Sequence, residues 1–265
     1  MIAEERYRII REILRQEGVV KVLPLAEQFE VSSETIRRDL DYLEKQGFLR
    51  KVYGGAVLDV IDTRLERFED REHKFQRNKI EIAQVVCAMM PEGGSIAMDT
   101  GTTNLAIARQ MRQTDKHLTV VTNSLPIADE LADVKGISTV LTGGVVNGLE
   151  KSVVGEICLN TFSLFHVDMC FISASGISLN EGITDFGFGE VETKRMLIKI
   201  AKKIIVVCNS SRFDMLSLLK VCDLDMVDSI VTDSELSDET AARYRKEGIN
   251  VIRPVDWFNA EGGNR

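Results

Sequence analysis

Long hydrophobic runs are missing from this 265-residue chain. No apolar stretch reaches the roughly 18–20 residues that span a bilayer. The opening MIAEERYRIIREIL interleaves charges with apolar positions, unlike a secretory signal. A cytoplasmic protein with no membrane partner is expected. Cysteine is sparse: Cys87, Cys158, Cys170, Cys208 and Cys222 make an odd set with no C-x-x-C pair. That argues against a disulfide framework and a zinc site; Cys170 and Cys208 fall in apolar strand-like runs, where a thiol packs as a small hydrophobe. His73, His117 and His166 share no ligand spacing, so no metal is expected. There is neither a G-x-G-x-x-G nor a Walker loop, so no nucleotide cofactor is indicated. With 4 prolines and no low-complexity run, 44% hydrophobic and 28% charged residues describe a globular chain, and its length suggests about two domains.

A surplus of positive charge is missing too. The net charge is −8, with 10 Lys and Arg against 11 Asp and Glu in residues 1–60 and 23 against 30 in the remainder. If the N-terminal segment grips nucleic acid, a few placed cations must do it and not a broad basic field.

What is there begins with helical periodicity. Ile9, Ile10, Ile13 and Leu14 form one stripe, and Gly18 ends that helix. A second helix fits Leu23–Phe29, with Leu25, Ala26 and Phe29 inward. A third follows Ser32, a good N-cap because its hydroxyl accepts from an orphan backbone N–H; Ile36, Leu40 and Leu43 are its buried stripe. Ser33, Thr35, Arg37, Arg38 and Tyr42 are left off the core face near the helix start, where a recognition helix meets base edges in the major groove. Arginine can chelate guanine O6 and N7, and Ser or Thr can reach phosphates or bases. Gly54-Gly55 between short apolar runs reads as a hairpin carrying Arg50 and Lys51 outward, a wing against the flanking backbone.

Residues 59–79 are rich in both charge signs and read as an exposed linker or solvated helix. From Ile80, apolar strands alternate with helical patterns, as in an α/β domain with a mainly parallel sheet. Strands are expected at Ser95–Met98, Leu118–Val121, Ser138–Leu141, Met169–Ile172, Ile204–Cys208, Ser229–Val231 and Asn250–Ile252. Helices fit Ile80–Met90, Asn104–Met111, Pro126–Leu131, Glu190–Ala201 and Asp238–Glu247. Domain bounds are then 1–58, linker 59–79, 80–258 and a tail at 259–265.

In open sheets of this kind ligands bind beyond the carboxyl ends of the strands. After the first strand, Asp99-Thr100-Gly101-Thr102-Thr103-Asn104 opens a helix with hydroxyls, backbone N–H groups and a glycine, an anion cradle in which Asp99 suits sugar hydroxyls. The other strand ends repeat the theme: Thr122-Asn123-Ser124, Thr142-Gly143-Gly144, Ser173-Ala174-Ser175-Gly176 and Asn209-Ser210-Ser211-Arg212. Lys194 and Arg195, early in a helix, could add a cation.

Two sets of these motifs resemble one family. Val31–Leu40 with Leu43-Glu44, Gly47 and Tyr53-Gly54-Gly55-Ala56 resembles the DNA-binding signature of the DeoR family, bacterial regulators, mostly repressors, of sugar and nucleoside catabolism. The likeness extends over residues 6–253. It implies an α/β fold: an N-terminal winged helix-turn-helix plus a larger α/β sensor domain resembling ribose-5-phosphate isomerase and coenzyme A transferase folds. It also implies an effector pocket lined by Asp99, Gly101, Thr102, Thr103, Thr122, Asn123, Ser124, Gly143 and Gly144, to which Ser175, Gly176, Lys194, Ser211 and Arg212 are added. Asn209 stands for the family's usual Asp, Arg212 for its Lys, and Asn147 where many members carry Arg; a guanidinium still pairs with phosphate, but by a planar fork.

The function expected is a repressor of a carbohydrate catabolic or transport operon, modulated by a phosphorylated sugar and acting on double-stranded operator DNA as a homo-oligomer, dimer or tetramer. The alternative is a sugar-phosphate isomerase-like enzyme. Moving a carbon-bound proton needs a carboxylate base, and where related isomerases are expected to carry Gly-Ala-Asp-Glu this chain has Ser173-Ala174-Ser175-Gly176. Asp185 and Glu190 lie nearby but fit a loop and a helix start.

Overall fold

Apolar residues three and four apart build the N-terminal unit. The computed structural model describes residues 2–17, 19–45, 49–52, 54–58 and 66–262. Within it α1 (Ala3–Glu17), α2 (Val22–Phe29) and α3 (Ser33–Lys45) surround one cluster holding Ile10, Leu14, Leu25, Phe29, Ile36, Leu40 and Leu43. Each such side chain, fully buried, contributes about 1.5–3 kcal/mol, so the expected stripes account for the helix packing. Between α2 and α3 the backbone of Glu30 turns left-handed at φ 55°, its N–H closing on the carbonyls of Ala26 and Glu27. Ser32 Oγ then accepts from the Thr35 N–H at 3.1 Å, the expected cap.

The wing forms as β2 (Leu49–Val52) and β3 (Gly55–Leu58), antiparallel, with Gly54 at φ 80° in the turn. A third strand not expected from the sequence, β1 (Val19–Lys21), pairs with β3 and makes the order β1-β3-β2. It explains Gly55: a Cβ there would lie 2.0 Å from the Val20 carbonyl oxygen. Gly18, Gly47, Phe48, Tyr53 and residues 59–65, together with the Arg50 side chain, lie outside the described residues.

The chain falls into two compact units, Met1–Leu65 and Glu66–Arg265. The linker expected to run to residue 79 therefore stops short. From Glu66 the chain packs into the second unit through α4 (Phe68–Glu72) and α5 (Gln76–Met89), burying Phe68, Phe75, Asn78 and Lys79. Phe68, Phe75 and Ile82 stand at heptad spacing, a buried face masked by the charges around it. The tail expected from 259 lies largely in α11 (Pro254–Gly262), whose Trp257 packs on the core.

The sheet of the second unit has seven parallel strands: β4 (Gly93–Met98), β5 (His117–Thr122), β6 (Ile137–Leu141), β9 (Val167–Ser173), β12 (Ala201–Val207), β14 (Ser229–Val231) and β15 (Val251–Ile252). Their order is β15-β14-β12-β9-β4-β5-β6. Both faces are covered, because successive residues point to opposite sides. Ala97, Val121, Cys170, Ile172 and Val206 enter one core, while Ile96, Met98, Val120, Phe171 and Val207 enter the other. The first core includes residues of α8 (Glu156–Phe162), α9 (Phe188–Ile200) and α10 (Asp238–Lys246); the second includes residues of α5, α6 (Thr102–Met111) and α7 (Leu125–Leu131).

All seven expected strands and five expected helices of this unit are present, with ends moved by a few residues. The sequence reading missed the β7 (Val145–Asn147)–β8 (Ser152–Val154) hairpin, α8, and the antiparallel sheet of β10 (Gly176–Ser178), β11 (Gly182–Asp185) and β13 (Leu219–Cys222). Chain order leaves β4 in opposite directions, toward β5 and β6 on one side and β9, β12 and β14 on the other. The switch point between β4 and β9 is where a doubly wound sheet opens a crevice.

Candidate nucleic-acid interface and effector site

The exposed face of α3 carries Arg37 and Arg38, with side chains 61% and 80% exposed. Glu34 meets them at 3.7 and 3.8 Å, exposed pairs that add little. Ser33 and Thr35 are half-buried at the helix start, and the Thr35 hydroxyl lies 2.9 Å from that of Ser32. Tyr42 is exposed yet stacks on Tyr7 of α1, centroids 4.6 Å apart. Lys51 is held by the Asp41 carboxylate of α3, which raises its pKa, while its backbone N–H donates to Glu44 Oε1 at 2.7 Å. These contacts fasten the wing to α3.

Beneath that surface Arg6 of α1 and Asp39 of α3 form a buried bidentate pair, Nε to Oδ2 at 2.6 Å and Nη2 to Oδ1 at 3.0 Å. Sequence reasoning passed over it. An acid between two exposed arginines and an apolar stripe, on a face otherwise facing inward, was the available signal.

In the second unit the β4–β9 switch point holds a buried charge cluster. Lys194 Nζ of α9 lies 2.5 Å from Asp99 Oδ2 and 2.9 Å from Asp185 Oδ2, all three being nearly sealed from solvent. Asp99 also accepts from Asn104 Nδ2 at 2.5 Å, from the Ser173 N–H at 3.0 Å and from Ser173 Oγ at 2.9 Å. Asp185 accepts from Ser175 Oγ at 2.7 Å and the Phe186 N–H at 2.8 Å. Burial works to discharge Lys194, but the two carboxylates outweigh it and hold the ammonium charged. Burial pushes Asp99 up against the pull of Lys194, whereas at Asp185 the ammonium and two hydrogen bonds overcome burial and hold it down. Asp99, expected as a free acceptor for sugar hydroxyls, thus spends its oxygens inside the protein. Asp185, read from the sequence as part of a loop, ends β11, a strand the sequence did not announce.

The strand-end residues divide in two. Gly101 is packed so that a Cβ would stand 3.0 Å from Ser173 Oγ, and it leads into α6 with no side-chain cap, leaving half-exposed Thr102 and Thr103 at the helix start. The Thr122-Asn123-Ser124 turn is fully buried and serves the backbone. Thr122 Oγ1 donates to the Met98 carbonyl, Asn123 Nδ2 donates to that of Val153, and Ser124 Oγ caps α7. Only Asn123 Oδ1, with neighbouring Ser152 Oγ, is buried without a partner in that turn. Gly143 is exposed, and Gly144 at φ 139° lets β7 pass 2.6 Å (measured to a Cβ placed on it) from the Val154 carbonyl. Gly176 likewise fits beneath the Met215 carbonyl in β10. Ser211 Oγ donates to Asn209 Oδ1 at 2.7 Å, and Arg195 donates to the carbonyls of Lys220 and Val221. Asn147 donates to Glu190 Oε1 at 2.8 Å.

Arg212 follows β12 in a turn held by the Ser210 N–H on Asp233 Oδ2 at 2.8 Å, and burial lowers its pKa. Arg71 and Lys79, from the stretch read as linker, reach the same end of the sheet. Arg71 pairs with Glu150, whose carbonyl accepts from Thr100 Oγ1 at 2.9 Å.

A winged helix-turn-helix followed by an α/β unit with polar strand ends has the form of a DNA-binding regulator. Comparison with known proteins sharpens this. Residues 6–61 match the DeoR-like helix-turn-helix domain and residues 74–234 the DeoR C-terminal sensor domain. The chain belongs to the DeoR family of transcriptional regulators. It is 32% identical to the HTH-type transcriptional regulator GolR of Listeria innocua over 95% of this chain and 98% of that one. It is 31% identical to the glycerol-3-phosphate regulon repressor of Escherichia coli over 87% and 90%. It is 30% identical to the transcriptional repressor GlcR of Bacillus subtilis over 95% and 96%. These relatives are regulators and not enzymes, and the isomerase alternative falls with them. Among solved structures, ribose 5-phosphate isomerase A of Methanocaldococcus jannaschii resembles it at TM-score 0.38 and 15% identity over 51% of this chain and 53% of that one. Nothing functional follows from so distant a likeness. Among the described residues no helix is long and apolar enough to cross a membrane.

Proposed function

We propose that this protein represses a carbohydrate catabolic or transport operon in the cytoplasm and is released from its operator by a phosphorylated sugar. Arg37 and Arg38 enter the major groove from the start of α3, with Ser33 and Thr35 beside them; Arg50 and Lys51 of the wing touch the flanking backbone. Tyr42, stacked on α1, steadies α3 and borders the duplex. A homo-oligomer, dimer or tetramer, presents paired α3 helices to repeated half-sites. The effector lies over the ends of β4, β9 and β12, among Gly101, Thr102, Thr103, Ser175 and Arg212. It shifts operator affinity by binding the two states of the protein unequally.

The observation that carries the DNA reading is the division of α3. Ile36, Leu40 and Leu43 are buried on one side, and two arginines stand uncommitted to the core on the other. The effector reading is supported by the polar turns gathered at the switch point and by a relative named for a glycerol-3-phosphate regulon. A gel shift on DNA upstream of the gene and of its neighbours, repeated at rising salt, tests the first. Sequence-selective binding that weakens steeply with salt is expected; selective binding unchanged in Arg37→Ala would overturn the role given to α3. A thermal-shift screen of pentose, hexose and triose phosphates against the free sugars tests the second.

A further inference from the structure

Around the ends of β4 and β12 most of the buried or half-buried charges of the described residues are matched, and Lys79 and Arg212 are not. Lys194 is shared by Asp99 and Asp185, and Arg71 is taken by Glu150. Glu66 is engaged by Lys74 at 2.5 Å, and Glu72 by Arg109 at 2.7 Å. Among the described residues no carboxylate pairs with Lys79 or Arg212. Lys79 is 6% exposed; its ammonium donates to the carbonyls of Arg71 at 2.6 Å and Glu72 at 3.3 Å, so one of its three donors is free. Arg212 spends no guanidinium donor on a described residue; the one hydrogen bond at that residue joins its backbone N–H to the Asn209 carbonyl.

Hydrogen bonds tie the turn that carries Arg212 to the helix that carries Lys79. The Ser210 N–H ties the Arg212 turn to Asp233, and the next residue, Ser234, binds Glu81 Oε2 of α5 through N–H and Oγ at 3.0 and 2.6 Å. Glu81 lies two residues past Lys79. Arg71, fastened through Glu150 to Thr100, bounds the cluster on the β4 side, with its Nε buried and without a partner. The fields agree with this placement. Burial, then Arg71 and Arg212, bring Lys79 down to about 7, Glu72 and Glu66 opposing. Arg212 is lowered by burial and Arg71, with Asp185 and Glu66 opposing. Like charges gathered around a buried ammonium cost stability unless an anion completes the cluster.

We infer that Lys79 and Arg212, with Arg71 beside them, form the seat of a dianionic phosphoryl group, so that the ligand grips α4 and α5, the first described elements after the segment that leads from the DNA-binding unit. This rests on the phosphorylated-effector reading and names the atoms that hold the phosphate. A phosphate monoester carries about −1.5 to −2 charges at neutral pH, which matches two unpaired cations. Charge-assisted hydrogen bonds to a fork and a point charge are the strong kind.

The test uses the full chain and calorimetric titration with inorganic phosphate, sulfate and whichever sugar phosphate the thermal screen returns. Lys79→Met and Arg212→Gln are expected each to weaken sugar-phosphate and sulfate binding about tenfold or more, and Lys79→Arg to retain it. Sulfate stays dianionic from pH 6 to 9, so its affinity for the parent protein should fall as Lys79 discharges across that range and stay level in Lys79→Arg. Unchanged sugar-phosphate affinity in both neutral variants would overturn the seat while leaving a phosphorylated effector in place. If no phosphate ester and no inorganic anion binds the parent protein, the effector reading fails and the seat with it. Should Lys79→Met not fold, Arg212→Gln, in a half-buried turn, decides the matter alone.

Discussion

Arg37 and Arg38 stand in water on the outer face of α3, whereas Lys194 and Lys79 of the sensor unit are almost sealed from it. The contrast follows from the size of the anion each unit is proposed to meet. A duplex is a continuous polyanion reached by long hydrated side chains, and the energy comes largely from counterion release. A small ester must be held by a few desolvated donors, where each contact is stronger and an empty site is costly. The winged unit therefore keeps a buried ion pair, Arg6–Asp39, for architecture, and the sensor unit buries charge where a ligand is proposed to bind.

The comparison breaks most visibly at Lys194. Lys194→Met leaves Asp99 and Asp185 buried without a counter-ion and should cost about 3–5 kcal/mol in urea unfolding; a loss below about 1 kcal/mol would mean the cluster is not the keystone of the switch point. Because Asp185 is held below its ordinary value, its contribution is complete above the unfolded carboxylate range and is lost as pH falls through its folded value. The parent protein should accordingly weaken on acidification more than Asp185→Asn does. Next comes Asp39→Ala, expected to destabilise the winged unit by about 3 kcal/mol through the stranded Arg6 guanidinium, seen as an earlier melt with sensor ligand binding intact.

Arg37→Ala should leave melting unchanged while lowering operator affinity about ten- to a hundredfold, the worth of one bidentate base contact; competition with nonspecific DNA measures it. Lys79→Met should melt later than the parent at pH 6 when ligand-free. Its folded value of about 7 lies below the ordinary 10.5, so the penalty of burying the charge is full below pH 7 and fades as pH rises to 10.5. The advantage of the variant should close over that interval. The least effect is expected from Lys51→Ala: its pair with Asp41 is exposed, so stability should barely move and only the salt slope of DNA binding should flatten slightly.

Much of the fold was legible because burial repeats with a period. Ile36, Leu40 and Leu43 marked the inner face of α3, and runs such as Ile204–Val207 marked strands buried on both sides. Strands β1, β10, β11 and β13 were not legible: each is 3–4 residues long, too short to show alternation, and each is defined by its partner. The polar strand-end turns were legible, and the partners of their side chains were less so. Turns after β4, β9 and β12 do converge, but Thr122, Asn123 and Ser124 proved to brace backbone, and Asp99 to neutralise Lys194. Arg71 and Lys79 were hidden in a stretch whose charges read as solvated.

By itself the sequence determined the two-part plan, the capped third helix with its outward arginines and the parallel sheet with polar strand ends, since these depend on neighbours within a few turns of the chain. Only the tertiary structure decided which charges pair: Asp99 with a lysine 95 positions on, Arg71 with Glu150, and Lys79 and Arg212 with no acid among the described residues. Electrostatic energy depends on distance and local dielectric and not on spacing along the chain, so a pattern of letters carries no trace of it until the sheet has brought those residues together.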